Sequence, residues 1–375
     1  MQPDRSKAPG LHVCTRGSGM TAAAQPRPGP ARQQPDSSLV RAARAPSFTS
    51  SSPCTRSSAP GRGLEGPGSA PWARGGSCAG AMEEAGASLG PTEQTVQLNS
   101  GTRMPLLGMG TFRLQGAELV SQCVDAALAH GYRSFDTAAV YGNEAAIGQA
   151  LGALLPHHSL ARSDVFLTTK LGPRDQGKAE AACLRSLEQL ACGYLDLYLI
   201  HWPGTQGKPQ GDKGNRERRW ESWRVLERMY HAGQLRAIGV SNYTLGHLQE
   251  LLAHCRVPPA VLQVECHPEL PQRELWDFCQ QHGIHLQAYA SLGCGQLLGR
   301  AEVGRVAERQ GRTPAQVLLR WALQQGVGVI PKSVNPTRLA ENAQLWSWDL
   351  SPEDMAELGA MDCSRHYCWD PSGVT

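Results

Sequence analysis

The chain has 375 residues, 41% of them hydrophobic, enough for one large barrel or two ordinary domains around a packed core. Residues 1 to 81 carry ten Lys or Arg against three Asp or Glu and hold 11 of the 26 prolines, whereas residues 82 to 375 hold 26 basic and 30 acidic side chains, so the formal charge of +3 belongs to the first stretch. No apolar run reaches the roughly 18 residues of a membrane span, and the twelve cysteines include no Cys-x-x-Cys pair of a zinc ribbon or thioredoxin-type site. Residues 1–92, rich in Pro, Ser, Gly and Arg, are expected to be a disordered extension. Its basic, acid-poor character would suit a mitochondrial transit peptide, but prolines interrupt every window that could form the amphipathic helix. A start at Met82-Glu83-Glu84 is the preferred reading, with reduced thiols and a cytoplasmic location.

Residues 93–375 are expected to form one domain. Val96-Gln97-Leu98 and Thr102-Arg103-Met104 flank Asn99-Ser100-Gly101 as a hairpin would, placed to plug a barrel floor. Short β-branched runs then alternate with longer helical patterns eight times, with candidate strands at 106–110, 133–137, 165–170, 196–201, 237–241, 261–265, 285–290 and 327–331. This repetition predicts an α/β fold, a parallel (β/α)8 TIM barrel. Helix signals agree: Leu119, Val120, Cys123, Val124, Ala127 and Leu128 share one face, and Thr313-Pro314 opens a helix over Ala315 to Leu323. Pro203 to Arg219 reads as a long loop near the barrel mouth.

Catalytic groups in such barrels lie at the C-terminal ends of the strands. Asp136, Lys170 and His201 all occupy those positions, and Tyr141 follows Asp136 by five residues. Singly each has a dull explanation, as a helix cap, a snorkelling strand end, a packed imidazole or a turn aromatic. Together they fit carbonyl reduction. Hydride delivery to carbon must be matched by a proton to oxygen, and a phenol of ordinary pKa near 10 gives one up more readily beside a cation. Lys170 can be that cation, Asp136 its counter-charge, and His201 a hydrogen-bond partner of the carbonyl. There is no G-x-G-x-x-G followed by an acidic ribose ligand, so the barrel mouth rather than a Rossmann domain must bind a nicotinamide. The Cys363-Ser-Arg-His366-Tyr-Cys368 corner lacks a second ligand pair, and no metal is expected.

Several motifs resemble those of the aldo-keto reductase family over roughly residues 94 to 371. They are Gly108-Met-Gly-Thr111-Phe112, Phe135-Asp136-Thr-Ala-x-x-Tyr141-Gly-Asn-Glu144, Leu195-Asp-Leu-Tyr-Leu-Ile-His201-Trp202-Pro203, Gly239-Val-Ser241-Asn242-Tyr243, Gln263-Val-Glu-Cys-His267-Pro268 and Ile330-Pro-Lys332-Ser333. The resemblance implies an NADPH-dependent carbonyl reductase with Tyr141 as general acid and Asp136, Lys170 and His201 in the roles above. It further implies that Thr111, Phe112 and Asp136 border the cofactor, that Ser241, Asn242 and Gln263 hold its carboxamide, and that Tyr289 stacks on the nicotinamide, with Ser291 beside it. Lys332, Ser333, Arg338 and Asn342, assisted by Glu341, would grip the adenosine end. Arg and Lys suit a 2′-phosphate, which favours NADP over NAD. Gly293-Cys294-Gly295 could let backbone approach the pyrophosphate. Trp202 is expected with Tyr141 and His201 in the substrate pocket, and Phe112 and Trp369 are further candidate walls. The short tail after Met361 resembles that of aldehyde and glyoxal reductases, implying a small-molecule carbonyl substrate, with no nucleic-acid or membrane partner and a monomeric protein. Two rival readings stand beside this one: a catalytically weak cofactor-binding regulatory or structural relative, and a Schiff-base aldolase using Lys170.

Overall fold

Residues 94–375 are described by the structure, a computed structural model; the expected extension over 1–92 lies outside them. The first element is the anticipated hairpin, in which β1 (Thr95–Gln97) pairs antiparallel with β2 (Arg103–Pro105). Eight parallel strands follow: β3 (Met109–Gly110), β4 (Ser134–Asp136), β5 (Phe166–Leu171), β6 (Leu197–Ile200), β7 (Ile238–Ser241), β8 (Val261–Glu265), β9 (His285–Tyr289) and β10 (Gly328–Val329). Each pairs with its sequence neighbour, and a parallel bridge between Leu107 and Val329 joins the last strand to the first. Gly108 N donates to Val329 O (2.9 Å), Val329 N to Leu106 O (2.7 Å) and Gly110 N to Pro331 O (3.1 Å), which closes the barrel. A side chain at Gly110 would bring its Cβ to 2.6 Å from Ile330 O, so the seam closes only because that side chain is missing. The first and last strands are shorter than their apolar runs imply because only part of each run pairs along this seam.

Ten helices wrap the barrel among the described residues: α1 (Ala117–Ala129), α2 (Glu144–His157), α3 (Ala179–Leu190), α4 (Gly214–His231), α5 (Leu245–Leu252), α6 (Arg273–Gln281), α7 (Ala301–Gln310), α8 (Pro314–Leu323), α9 (Pro336–Ala343) and α10 (Pro352–Gly359). The α1 face foreseen from its spacing is buried through Val120, Cys123, Val124, Ala127 and Leu128, whereas Leu119, expected on it, is exposed. At α8 the Thr313 hydroxyl accepts from Gln316 N at 3.2 Å, and Pro314 takes the first turn, where its missing N–H costs nothing. The Pro203–Arg219 stretch departs from the expected loop, because α4 already begins at Gly214. Asn215 makes this early start possible: its amide accepts from Thr205 N and donates to Pro209 O and Gln210 O, tying the remaining loop onto the helix. Among the described residues no helix is long and apolar enough to cross a membrane.

The strands are buried on both faces, yet their alternation still sorts side chains into two cores. Leu167, Leu171, Tyr198, Ile200 and Leu262 point outward into the large core beneath the helices. Phe166, Leu197, Leu199 and Val261 point inward and pack with Leu98 and Met104 of the hairpin region. Asn99 Nδ2 donates to Pro259 O at 3.0 Å and fixes the hairpin over the strand entrances, so it plugs the floor.

Candidate active site

The inward positions change character along the strands. Above Phe166, β5 presents Thr168 and then Lys170; above Leu197 and Leu199, the chain leaving β6 presents His201; above Val261, β8 presents Gln263. In a period-two strand these residues share one face, so the polar groups meet in the interior at the strand ends. Lys170 is fully buried, and its Nζ donates to Asp136 Oδ1 at 2.5 Å and to Thr137 O at 2.9 Å. Burial pulls the Lys170 ammonium downward, but Asp136 and Tyr141 more than offset this and hold its pKa above the ordinary value. Asp136 Oδ2 accepts from Gln263 Nε2 (2.8 Å), and the same amide donates to Gln287 Oε1 (2.8 Å). Both Asp136 oxygens are thus engaged, and a buried ion pair is tolerable only with this satisfaction.

Tyr141 sits beyond β4 in a short 3-10 turn, Ala139–Tyr141, ended by Gly142 in the left-handed region (φ 68°). Asn143 anchors this turn: its Nδ2 donates to Thr111 O and Leu114 O at 3.0 Å, and its Oδ1 accepts from Thr137 Oγ1 at 2.6 Å. Glu144 then accepts from the outward-facing Thr169 hydroxyl at 2.6 Å, seating α2 against β5. The result places the Tyr141 ring with its centroid 5.1 Å from Lys170 Nζ and 5.5 Å from the His201 ring, edge to face. Burial raises the Tyr141 phenol, Lys170 pulls it back and Asp136 raises it, for a net upward shift. His201 is driven down to about 3, first by burial and then by Lys170, so its imidazole is neutral. Its Nδ1 is buried and has no hydrogen-bond partner among the described residues. The four residues singled out for chemistry converge at one mouth.

The remaining expected site residues divide. Phe112 packs against Tyr141 at 5.1 Å and is 44% exposed, and Trp202 is half-buried beside His201. Thr111 donates its hydroxyl to Asp136 O at 2.9 Å, a bond that ties β3 to β4. Asn242, at φ 63°, donates to His201 O (2.8 Å) and to the Ser241 hydroxyl (3.1 Å), and accepts from Tyr289 OH (2.7 Å). Ser291 is buried, and its hydroxyl donates to Ala288 O at 3.4 Å. On the other side of the seam, Lys332 and Ser333 follow β10, and Arg338, Glu341 and Asn342 lie on one face of α9, whose start is capped by Asn335. Lys332 and Arg338 are exposed, and no ion pair engages either of them among the described residues.

Sequence reasoning missed how the tail is fastened. Glu265, at the end of β8, accepts from Tyr367 N (2.7 Å), Cys368 N (3.2 Å), the His366 ring (3.3 Å) and the His267 ring (3.2 Å). Burial alone would raise the Glu265 carboxyl, but His267 and the two backbone N–H groups win and hold it below the ordinary range. Glu269 takes Tyr367 OH at 2.6 Å and Arg300 at 2.7 Å. The tail is therefore a strap fastened to the end of β8 and the chain just beyond it. A cavity of about 490 Å³ adjoins the strap, bordered by Asn242, Tyr289, Glu265, His366 and Trp369; Asp136, Tyr141, Lys170 and His201 do not line it. Farther along, His247 bonds Val374 O (2.9 Å) and Arg219 bonds Thr375 O (2.7 Å), pinning the end of the tail.

A closed parallel barrel with a paired Lys, a buried carboxylate and a neutral His around a phenol defines a class of barrel oxidoreductases. A family model described as the Aldo/keto reductase family matches residues 106–362, and the chain belongs to that family. Reduction of small carbonyl compounds with a nicotinamide cofactor is the business of this family. The chain is 42% identical to the glyoxal reductase of Bacillus subtilis (strain 168) over 72% of its own length and 93% of that protein. It is 39% identical to aldo-keto reductase family 1 member A1 of Cricetulus griseus, covering 72% of this chain and 90% of that one. The solved aldose reductase from Schistosoma japonicum superposes with a TM-score of 0.66 at 37% identity, covering 72% of this chain and 93% of that one.

Proposed function

We propose that this protein is an NADPH-dependent reductase of small aldehydes or ketones in which Tyr141 donates the proton. The observation that carries this reading is the buried Lys170–Asp136 pair set against the Tyr141 ring. A bound nicotinamide supplies hydride to the carbonyl carbon. Tyr141 gives its proton to the carbonyl oxygen, and the tyrosinate left behind is stabilised by the Lys170 ammonium. Asp136 keeps that ammonium charged in a dry site, and Gln263 and Gln287 keep Asp136 in place. Neutral His201 orients the carbonyl without adding a second cation beside Lys170. Phe112, Trp202 and the strap would wall a small substrate, in keeping with the glyoxal reductase name of one relative.

The mouth also fits the cofactor. Two exposed cations without carboxylate partners among the described residues, Lys332 just before α9 and Arg338 in its first turn, suit a 2′-phosphate. Ser333, Asn342 and Glu341 adjoin them in sequence, and Ser241, Asn242 and Gln263 would hold the carboxamide, with Tyr289 beside them. The aldolase reading loses ground, since a fully buried, ion-paired ammonium is a poor nucleophile. Cytoplasmic location and a monomeric state belong to the same proposal.

The test is Tyr141→Phe. Turnover of methylglyoxal and of an aromatic aldehyde should fall by roughly a hundredfold to ten-thousandfold, while the fluorescence titration of NADPH stays unchanged. Near wild-type turnover would remove Tyr141 from the role; NADPH binding without turnover in the wild-type chain would instead favour a regulatory or structural relative.

A further inference from the structure

Cys294 and Cys368 lie 74 residues apart in sequence and meet beside the mouth with their sulfurs 3.8 Å apart. Cys294 is exposed in the Gly293–Gly299 turn after β9, in the left-handed region (φ 53°), and Cys368 is half-buried on the strap. The encounter is built. Glu265 holds Tyr367 N and Cys368 N, and Tyr367 lies against Gly293, where an added Cβ would meet its ring at 2.8 Å. Neither thiol takes part in the chemistry described above. We propose that Cys294 and Cys368 form a reversible, peroxide-driven disulfide that staples the strap to the turn after β9.

The geometry suits it, since closing to an S–S bond of about 2.05 Å requires less than about 2 Å of approach. The roles of the two sulfurs follow from their surroundings. The contact between the two sulfurs draws the Cys294 thiol down to about 7, with burial and Glu265 opposing and Arg113 assisting. The same contact, with burial, pushes the Cys368 thiol above its ordinary range. An exposed sulfur with an appreciable thiolate fraction at neutral pH, beside a second thiol, is the arrangement of a peroxide-reactive pair. The Cys294 thiolate attacks one oxygen of hydrogen peroxide, an S–O bond forms as the O–O bond breaks, and hydroxide leaves, taking up the Cys294 proton as water. Cys368 then attacks the sulfenic sulfur; the S–S bond forms, the S–O bond breaks, and the hydroxyl departs with the Cys368 proton as a second water. Two thiols and one peroxide become one disulfide and two waters, and a dithiol reductant reverses the change.

The consequence for catalysis rests on the functional reading, in which the turn at Gly293-Cys294-Gly295 borders the cofactor's pyrophosphate. A staple there hinders the turn from opening and slows nucleotide exchange. The experiment treats the reduced full-length chain with stoichiometric hydrogen peroxide, blocks free thiols with iodoacetamide and maps the peptides by mass. A Cys294–Cys368 linked peptide, lighter by two hydrogens, removed by dithiothreitol and missing from Cys368→Ser, is expected. Linkage of Cys368 to exposed Cys363, cross-links between chains, or oxidised but unlinked Cys294 would overturn the proposal. Independently of folding in any variant, the alkylation rate of Cys294 in the wild-type chain should rise with a midpoint near pH 7; a midpoint at the ordinary thiol value would remove Cys294 as the attacking sulfur. Stopped-flow release of NADPH should slow about tenfold in the linked form, as for a gated turn. Linkage with unchanged release would overturn the gating, whereas failure of the reduced chain to bind NADPH would sink the functional reading and leave the mapped linkage intact.

Discussion

The floor and the mouth of this barrel are made by the same strands, with the same inward faces, and hold opposite contents. Phe166 and Lys170 are four residues apart on β5, and Val261 and Gln263 two apart on β8, yet one member of each pair packs against apolar carbon and the other belongs to an ionic network. The strand fixes which way a side chain points, and its height along the barrel decides whether a polar group can find partners. At the floor the hairpin region offers Leu98, Met104 and Val96, so most inward positions there are apolar, with Ser134 and His285 the polar exceptions. At the mouth, chain leaving the strands supplies carbonyls, amides and a carboxylate, and Lys170 can be charged without water.

Breaking the mouth should cost most. Lys170→Met leaves Asp136 as an unpaired buried carboxylate, with an expected loss of about 3–5 kcal/mol in denaturant unfolding and collapse of turnover. Adding Asp136→Leu should restore much of the stability and none of the activity. If the single and double variants are equally unstable, the ion pair is not what the mouth depends on. Breaking the floor should give the reverse signature: Leu199→Ala leaves a cavity and costs about 2–5 kcal/mol, with KM and kcat of the surviving folded protein near their original values. A floor that also shaped the site would show itself as a changed KM.

The eight strands and the hairpin could be read in advance because each is a short local run with its own turn chemistry. So could the meeting of Asp136, Tyr141, Lys170 and His201 at one end of the barrel, since that is where the strand ends gather. The partners of those residues were hidden. Gln263 lies 127 residues from Asp136, and no local pattern reveals that its amide clamps Asp136 and Gln287. Glu265 and Glu269 look like ordinary carboxylates, and only the fold brings the tail back to them, about a hundred residues later in the chain. Local patterns give elements and faces; pairing across the barrel depends on register, which composition does not report.

A smaller effect sharpens the cofactor side of the mouth. Lys332→Ala or Arg338→Ala should weaken NADPH about tenfold, or about 1.4 kcal/mol, and leave NADH nearly unchanged when the two titrations are compared. Equal losses would show that neither cation meets a 2′-phosphate. The mildest contrast is in pH. Burial holds His201 at the mouth near 3 and His285 at the foot of β9 near 4, against an ordinary value of 6.5. Below that value the unfolded chain binds protons that the folded chain refuses, so their contribution to stability is intact above about pH 6.5 and is lost progressively as pH falls toward 4. His285→Gln should remove the floor's share and lower the slope of melting temperature against pH. An unchanged slope would place the acid sensitivity elsewhere.

The seam has a consequence in time. Leu107 and Val329 are neighbours in space and more than two hundred residues apart along the chain. While the polypeptide emerges from the ribosome, β3 must wait for nearly the whole ring before its second edge is covered, although β4 and β5 can already join Asp136 to Lys170. Through that interval the growing half-ring carries an open strand edge near Leu106 and Leu107, the kind of edge that recruits strands from other chains. Completing the circle is thus a late event in synthesis, and whatever keeps that edge apart from its neighbours in the meantime determines how much of the protein reaches its finished form.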